Sequence, residues 1–158
     1  NLFNILRAYY NEWKFKHPLP NDFRRIAERI SGVELQWYLT DWTQTTNKID
    51  YAITGVEDKG EISEINLVRN QLMPMPLELL VVLKNGESEL HYIPISLMRG
   101  EKANPYPIKW VVHPDWAWAH LEYSFLIDHP KKEIQTIIVD PSGLMADVDK
   151  SNNYYASE

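Results

Sequence analysis

Five histidines, His17, His91, His113, His120 and His129, are the residues of this sequence best suited to hold a metal or move a proton. A zinc-peptidase helix needs two histidines one helical turn apart, with a glutamate directly after the first. None of the five is followed by glutamate, and no two lie four residues apart. His113 and His120 span two helical turns, but Pro114 follows the first and the flanks read as strand. The pattern predicts histidines at interfaces and in loops. Cysteine is absent, which removes thiolate ligands and disulfides and leaves the compartment open. Ser142 stands in Pro-Ser-Gly rather than Gly-x-Ser-x-Gly, which predicts turn chemistry. The glycines are scattered, so no loop cradles phosphate. The carboxylate pairs Glu61/Glu64 and Asp147/Asp149 lie in polar surroundings and read as solvated faces or turns. Asp147, Asp149 and Asn152 loosely suggest a calcium loop, without the glycine at the bend or the closing bidentate glutamate. Trp116 and Trp118 would share one face of a strand and could stack on sugar rings; the alternative is that they plug the edge of the core or an interdomain contact. No catalytic, cofactor-binding or metal-ligating residue is assigned.

Two regions must position these side chains. In the first, Leu2, Leu6, Tyr9 and Trp13 recur at helical spacing, with Phe3, Ile5 and Tyr10 widening the stripe. His17-Pro18 and Leu19-Pro20 break that helix. A second helix follows, capped by Asn21 or Asp22, burying Phe23, Ile26, Ala27 and Ile30, and stopped by Gly32. Leu35, Leu39 and Trp42 outline a third, ending in the polar run 43–48.

From Asp50 onward the period changes to two. Tyr51/Ile53, Ile65/Leu67, Leu77/Leu79/Val81/Leu83, residues 89–95, Ile108/Trp110/Val112, Tyr123/Phe125/Ile127 and residues 134–139 predict about seven strands. Asn85-Gly86 predicts a tight hairpin in which both central residues take positive φ. The expected fold is α+β: a short helical segment of about three helices over 1–48, an antiparallel immunoglobulin-like β-sandwich over 49–146, and a polar, frayed tail over 147–158. The net charge of −6 is spread over interleaved acidic and basic residues, with no basic stripe for nucleic acid. No apolar run reaches the roughly 18 residues that span a membrane. The chain opens at Asn1, inside an amphipathic pattern, which predicts a piece of a longer protein.

Several segments together carry a resemblance: residues 10–18 (Tyr-Asn-Glu-Trp-Lys-Phe-Lys-His-Pro), Asp22-Phe23, residues 31–37, Asp41-Trp42, Asp50-Tyr51-Ala52-Ile53, Met73-Pro74-Met75-Pro76, Asn85-Gly86, and Val139-Asp140-Pro141 with Asp147, Asp149, Asn152 and Asn153. In order and spacing they resemble the end of the helical catalytic domain and the following β-sandwich of M1-family zinc aminopeptidases. One local departure is Gln71-Leu72, where the family commonly has a glycine. The resemblance implies a parent enzyme that binds zinc, activates water and removes N-terminal residues from peptides. The family's zinc helix, distal glutamate, exopeptidase strand and catalytic tyrosine would all lie upstream of Asn1. This chain would then be inactive alone, with a bracing role. Its partner would be the rest of the catalytic domain, or a second copy covering the orphaned stripe. The alternative is an immunoglobulin-like binding module for sugar or protein, and the segment 10–42 argues against a free-standing one.

Overall fold

The computed structural model describes residues 2–104 and 106–157. Among them are three α-helices and eight strands in two sheets, an α+β chain. The contacts divide it into two compact units: the helices up to Thr46 with Leu97–Glu101, and Asn47–Ser96 with the residues from Lys102 onward.

In the helical unit, α1 (Leu2–Trp13) and α2 (Pro20–Ser31) pack through Ile5, Ile26 and Ala27, with Tyr9 set edge-on to Phe23 at 5.3 Å. Pro20 is the first helical residue of α2, where its missing N–H costs nothing. The N-cap is Leu19 rather than Asn21 or Asp22, and Asp22, at the third helical position, reaches back so that its carboxylate accepts from the Leu19 amide at 2.8 Å. Gly32 ends α2 at φ 76°, and its N–H donates to the Glu28 carbonyl. The Glu28 carboxylate then accepts the Leu35 amide at 3.0 Å, leading into α3 (Gln36–Gln44). Phe3, Leu2, Leu6 and Tyr10 of α1 are exposed.

In the sheet unit, β1 (Tyr51–Asp58), β2 (Ser63–Arg69) and β6 (Glu122–Ile127) form one sheet in the order β1-β2-β6. The other runs β5-β4-β3-β7-β8, from β3 (Leu77–Leu83), β4 (Ser88–Ile93), β5 (Lys109–Val112), β7 (Ile134–Val139) and β8 (Tyr154–Ala156). Strand alternation gives each sheet one apolar face. Leu77, Leu79, Val81 and Leu83 point inward from β3, meeting Ile65, Leu67, Phe125 and Ile127 of the first sheet as the core. Full burial of each such side chain is worth about 1.5–3 kcal/mol. A bulge between Ile53 and Gly55 moves the inward position from odd to even residues, so that Val56 as well as Tyr51 is buried. A second irregularity at Val82/Leu83 lets Ile134 and Ile137 of β7, three residues apart, face the same way.

Three expectations need correction. The sheets are not wholly antiparallel: β5 runs parallel to β4. The segment 147–157 is not a frayed tail, because β8 pairs with β7 and Asn153 is buried. The hairpin at Asn85-Gly86 forms, but only Gly86 has positive φ, at 90°. Gly86 N–H donates to the Leu83 carbonyl and Leu83 N–H to the Glu87 carbonyl, both at 2.9 Å, so an ordinary turn is completed by a left-handed glycine. The Asn85 side chain accepts the Glu87 amide at 2.9 Å, which supports that geometry instead.

Candidate functional site

The polar groups that converge in the sheet unit sit where period-two alternation puts them. Leu79 pairs with His91 and Val81 with Glu89, so both polar residues share the inward face of β3. Lys109 pairs with Glu89 across the parallel ladder, and Val111 with His91, which carries the same face on to His113. From the opposing sheet, Tyr123, Phe125 and Ile127 lead by the same alternation to His129. Phe125 packs on both histidines, 5.7 Å from the His91 ring and 4.2 Å from the His113 ring.

His91 Nδ1 lies 2.8 Å from His113 Nε2. The ring planes differ by 18° and the centroids are 5.1 Å apart, which is the N···N distance plus one ring radius at each end. The imidazoles therefore meet edge to edge, with a single proton between them. Glu89 Oε1 accepts from Lys109 Nζ at 2.7 Å and from His129 Nε2 at 2.8 Å. Its other oxygen faces His91 Nε2 at 3.5 Å, beyond a good hydrogen bond, and that buried nitrogen has no hydrogen-bond partner among the described residues. A carboxylate in that position favours the tautomer with His91 Nε2 protonated. His113 then donates and His91 Nδ1 accepts.

Burial, reinforced by neighbouring His113 and opposed by Glu89, pushes His91 down to about 4. Burial also pushes His113 down. For Glu89 burial acts upward, but the hydrogen bonds from Lys109 and His129 outweigh it and hold the carboxyl below its ordinary value. The cluster is thus an ionised Glu89–Lys109 pair beside two neutral, hydrogen-bonded imidazoles.

It is not a ligand set for the zinc that the resemblance implies. The lone pair of His91 Nδ1 is taken up by the His113 N–H, the His113 lone pair sits on its outer nitrogen away from His91, and Lys109 fills the carboxylate from outside. Among the described residues no group of three or more His, Cys, Asp or Glu could hold a metal ion. The calcium-like residues do not converge either. Asp147 accepts from the amides of Tyr51 and Asp149 and from Asn153 Nδ2, Asp149 accepts from Ser151, and Asn152 donates to Asp50. Donors occupy the carboxylate oxygens a cation would use.

The chain was compared with models of known protein families, with curated proteins and with solved structures. None of the three gives a match.

The other candidates lie apart. His17 and His120 are exposed. Glu64 pairs with Lys59 at 3.1 Å, and Glu61 is exposed. Ser142 donates to Asp140 at 2.7 Å within the turn after β7. Trp116 and Trp118 do not share a face: Trp116 is 3% exposed and Trp118 56%. Trp116 packs between Tyr51 and Tyr123, at 5.4 and 5.1 Å, and donates from Nε1 to the His120 carbonyl, so a paired sugar-stacking surface is not formed. No helix of the described residues is long and apolar enough to cross a membrane. Sequence reasoning missed the histidine cluster because its members lie on three separate strands or their continuations. The available signal was Glu89-x-His91 in one strand and Lys109-x-Val111-x-His113 in another.

Proposed function

We propose that this chain is a non-catalytic part of an M1-type zinc aminopeptidase. In this reading the helices complete the outside of the parent's catalytic domain. The sheet unit is an immunoglobulin-like sandwich that braces that domain and helps bound its cleft. Zinc, the water-activating glutamate and the oxyanion-stabilising tyrosine come from the parent, and peptide meets this chain only through it.

The observation that carries the reading, beside the ordered resemblance from Tyr10 to Asn153, is the open face of α1. Leu2, Phe3, Leu6 and Tyr10 are 61%, 82%, 45% and 64% exposed, while Ile5 is the buried residue of that helix. Apolar side chains of this size forgo about 1.5–3 kcal/mol each when left in water. A contiguous patch of them marks a surface that another body covers. Helices of a catalytic domain are the occupant that fits a stripe of helical period.

The test is the reading frame that encodes the chain. The expected outcome is an upstream His-Glu-x-x-His helix with a distal glutamate. In agreement with it, the chain alone should carry no stoichiometric zinc and should not turn over amino-acid amides. A frame without that motif overturns the reading, and a strictly monomeric chain in light scattering whose Leu2–Trp13 stripe stays open to water counts against it.

A further inference from the structure

The histidine cluster has no part in the bracing role, and its geometry points to a separate property. We propose that the His91–His113 pair, backed by Glu89, Lys109 and His129, is an acid latch. It holds the edge strand β5 against the inside of the sheet unit while one proton is shared between the rings, and releases it when both rings are protonated.

β5 has four residues and, among the described residues, its ladder is with β4 alone, a parallel one. Just beyond it the His113 amide donates to the Tyr92 carbonyl at 2.9 Å, and the His113 ring reaches inward to His91. It anchors the far end of this short edge on the inward face, as Lys109 on Glu89 anchors the near end. The groups facing the pair are Glu89 from β4, Lys109 from β5, His129 from the loop after β6, and apolar Phe125 from β6.

Counting charge decides the behaviour. Lys109 and Glu89 cancel, and His129, bonded to the same carboxylate, adds a positive charge whenever it is protonated, so nothing beyond Glu89 offsets charge on the pair. A first added proton goes to the outer nitrogen of half-buried His113, away from His91. The N–H···N bond survives this, because His113 still donates and His91 Nδ1 still accepts. A second proton has only His91 Nδ1 to bind. Two N–H groups then face each other at a separation of 2.8 Å in a site with a single carboxylate. The bond cannot persist. His113, the more exposed member, turns outward, and the end of β5 loses its hold on His91. The depressed titration of His91 places that step in acid, below the range of an ordinary histidine and toward about 4.

The experiment is NMR on the whole chain with nitrogen-labelled histidine, recorded with amide hydrogen exchange across acid pH. At neutral pH a coupling across the hydrogen bond between His91 Nδ1 and His113 Nε2 is expected. In acid it should vanish, and protection factors in β5 should fall about tenfold per pH unit where the open form takes up one more proton. The Leu79 and Val81 amides should keep their protection through that range. In His113→Gln, whose amide donates but does not titrate, β5 protection should stay flat. The proposal is overturned by absence of the coupling at neutral pH, by its persistence once both rings are charged, or by β5 and β3 losing protection together. Loss in His113→Gln matching that of the unmodified chain also overturns it. Should that variant not fold, the coupling and the β5-against-β3 comparison decide alone.

Discussion

Replacing Tyr51 by phenylalanine removes one oxygen and nothing else from the junction between β1 and the Met73-Pro74-Met75-Pro76 segment. The hydroxyl of Tyr51 donates to the Met75 carbonyl at 3.1 Å and accepts the Met75 amide at 2.7 Å, while the residue is 1% exposed. Its ring packs on Trp116 at 5.4 Å and keeps that contact as phenylalanine. The loss is therefore two backbone partners at once, and Tyr51→Phe should destabilise the chain by about 1–3 kcal/mol at neutral pH. Urea unfolding should show a lower midpoint at unchanged slope. An alkaline arm makes the test sharper. Burial, against smaller opposing effects of the Met75 bond and Arg69, raises the phenol from 10.0 to about 12. The unfolded chain ionises first, so this contribution is complete below pH 10 and is lost as the pH climbs from 10 to about 12. At about 1.4 kcal/mol per unit that loss is about 3 kcal/mol. The difference between the unmodified chain and Tyr51→Phe isolates it from Tyr123, whose phenol is also pushed up to about 12. A variant within about 0.5 kcal/mol of the unmodified chain at neutral pH, or one with the same alkaline loss, would refute the argument.

Trp116→Ala should cost about 3–5 kcal/mol by cavity formation, whereas Trp118→Ala should stay within about 0.5 kcal/mol. Equal costs in urea unfolding would contradict the burial contrast between them. Asp147→Ala strips the Tyr51 and Asp149 amides and Asn153 Nδ2 of their acceptor. It should cost about 3 kcal/mol and expose residues 148–157 to limited proteolysis, and a segment as resistant as before would count against the role given to these three bonds.

What the sequence made legible follows from what a period can encode. The helices were visible because Leu2, Leu6, Tyr9 and Trp13 repeat at helical spacing and because proline and glycine mark the ends. The inward faces of β2, β3 and β6 were visible by alternation. Alternation says nothing about which strand lies alongside or in which direction, so the parallel pairing of β5 was hidden. β8 was hidden because three residues, Tyr154-Tyr155-Ala156, are too few to show a period. Trp116 and Trp118 were read as one strand face, but Trp116 forms only an isolated bridge with Ile95, and the chain turns beyond it. The histidine cluster was out of reach for a related reason. His91, His113 and His129 become neighbours only through the pairing of β4 with β5 and the packing of β6 over both, and no local spacing reports either.

The clasp of Asp50, Asp147, Asn152 and Asn153 also bears on how the molecule is made. The Tyr51 amide waits for the Asp147 carboxylate, 96 residues further on, and Asp50 for Asn152, 102 residues further on. Closing loops of that length is entropically costly and slows folding. On the ribosome, β1 and β2 can pair early, with Tyr51 opposite Arg69 and Asn70 bonded to Asp50, but the Tyr51 amide lacks its acceptor until Asp147 has left the exit tunnel. A chain stalled or clipped before Asp147 would leave Ile49–Tyr51 open to pairing with another copy.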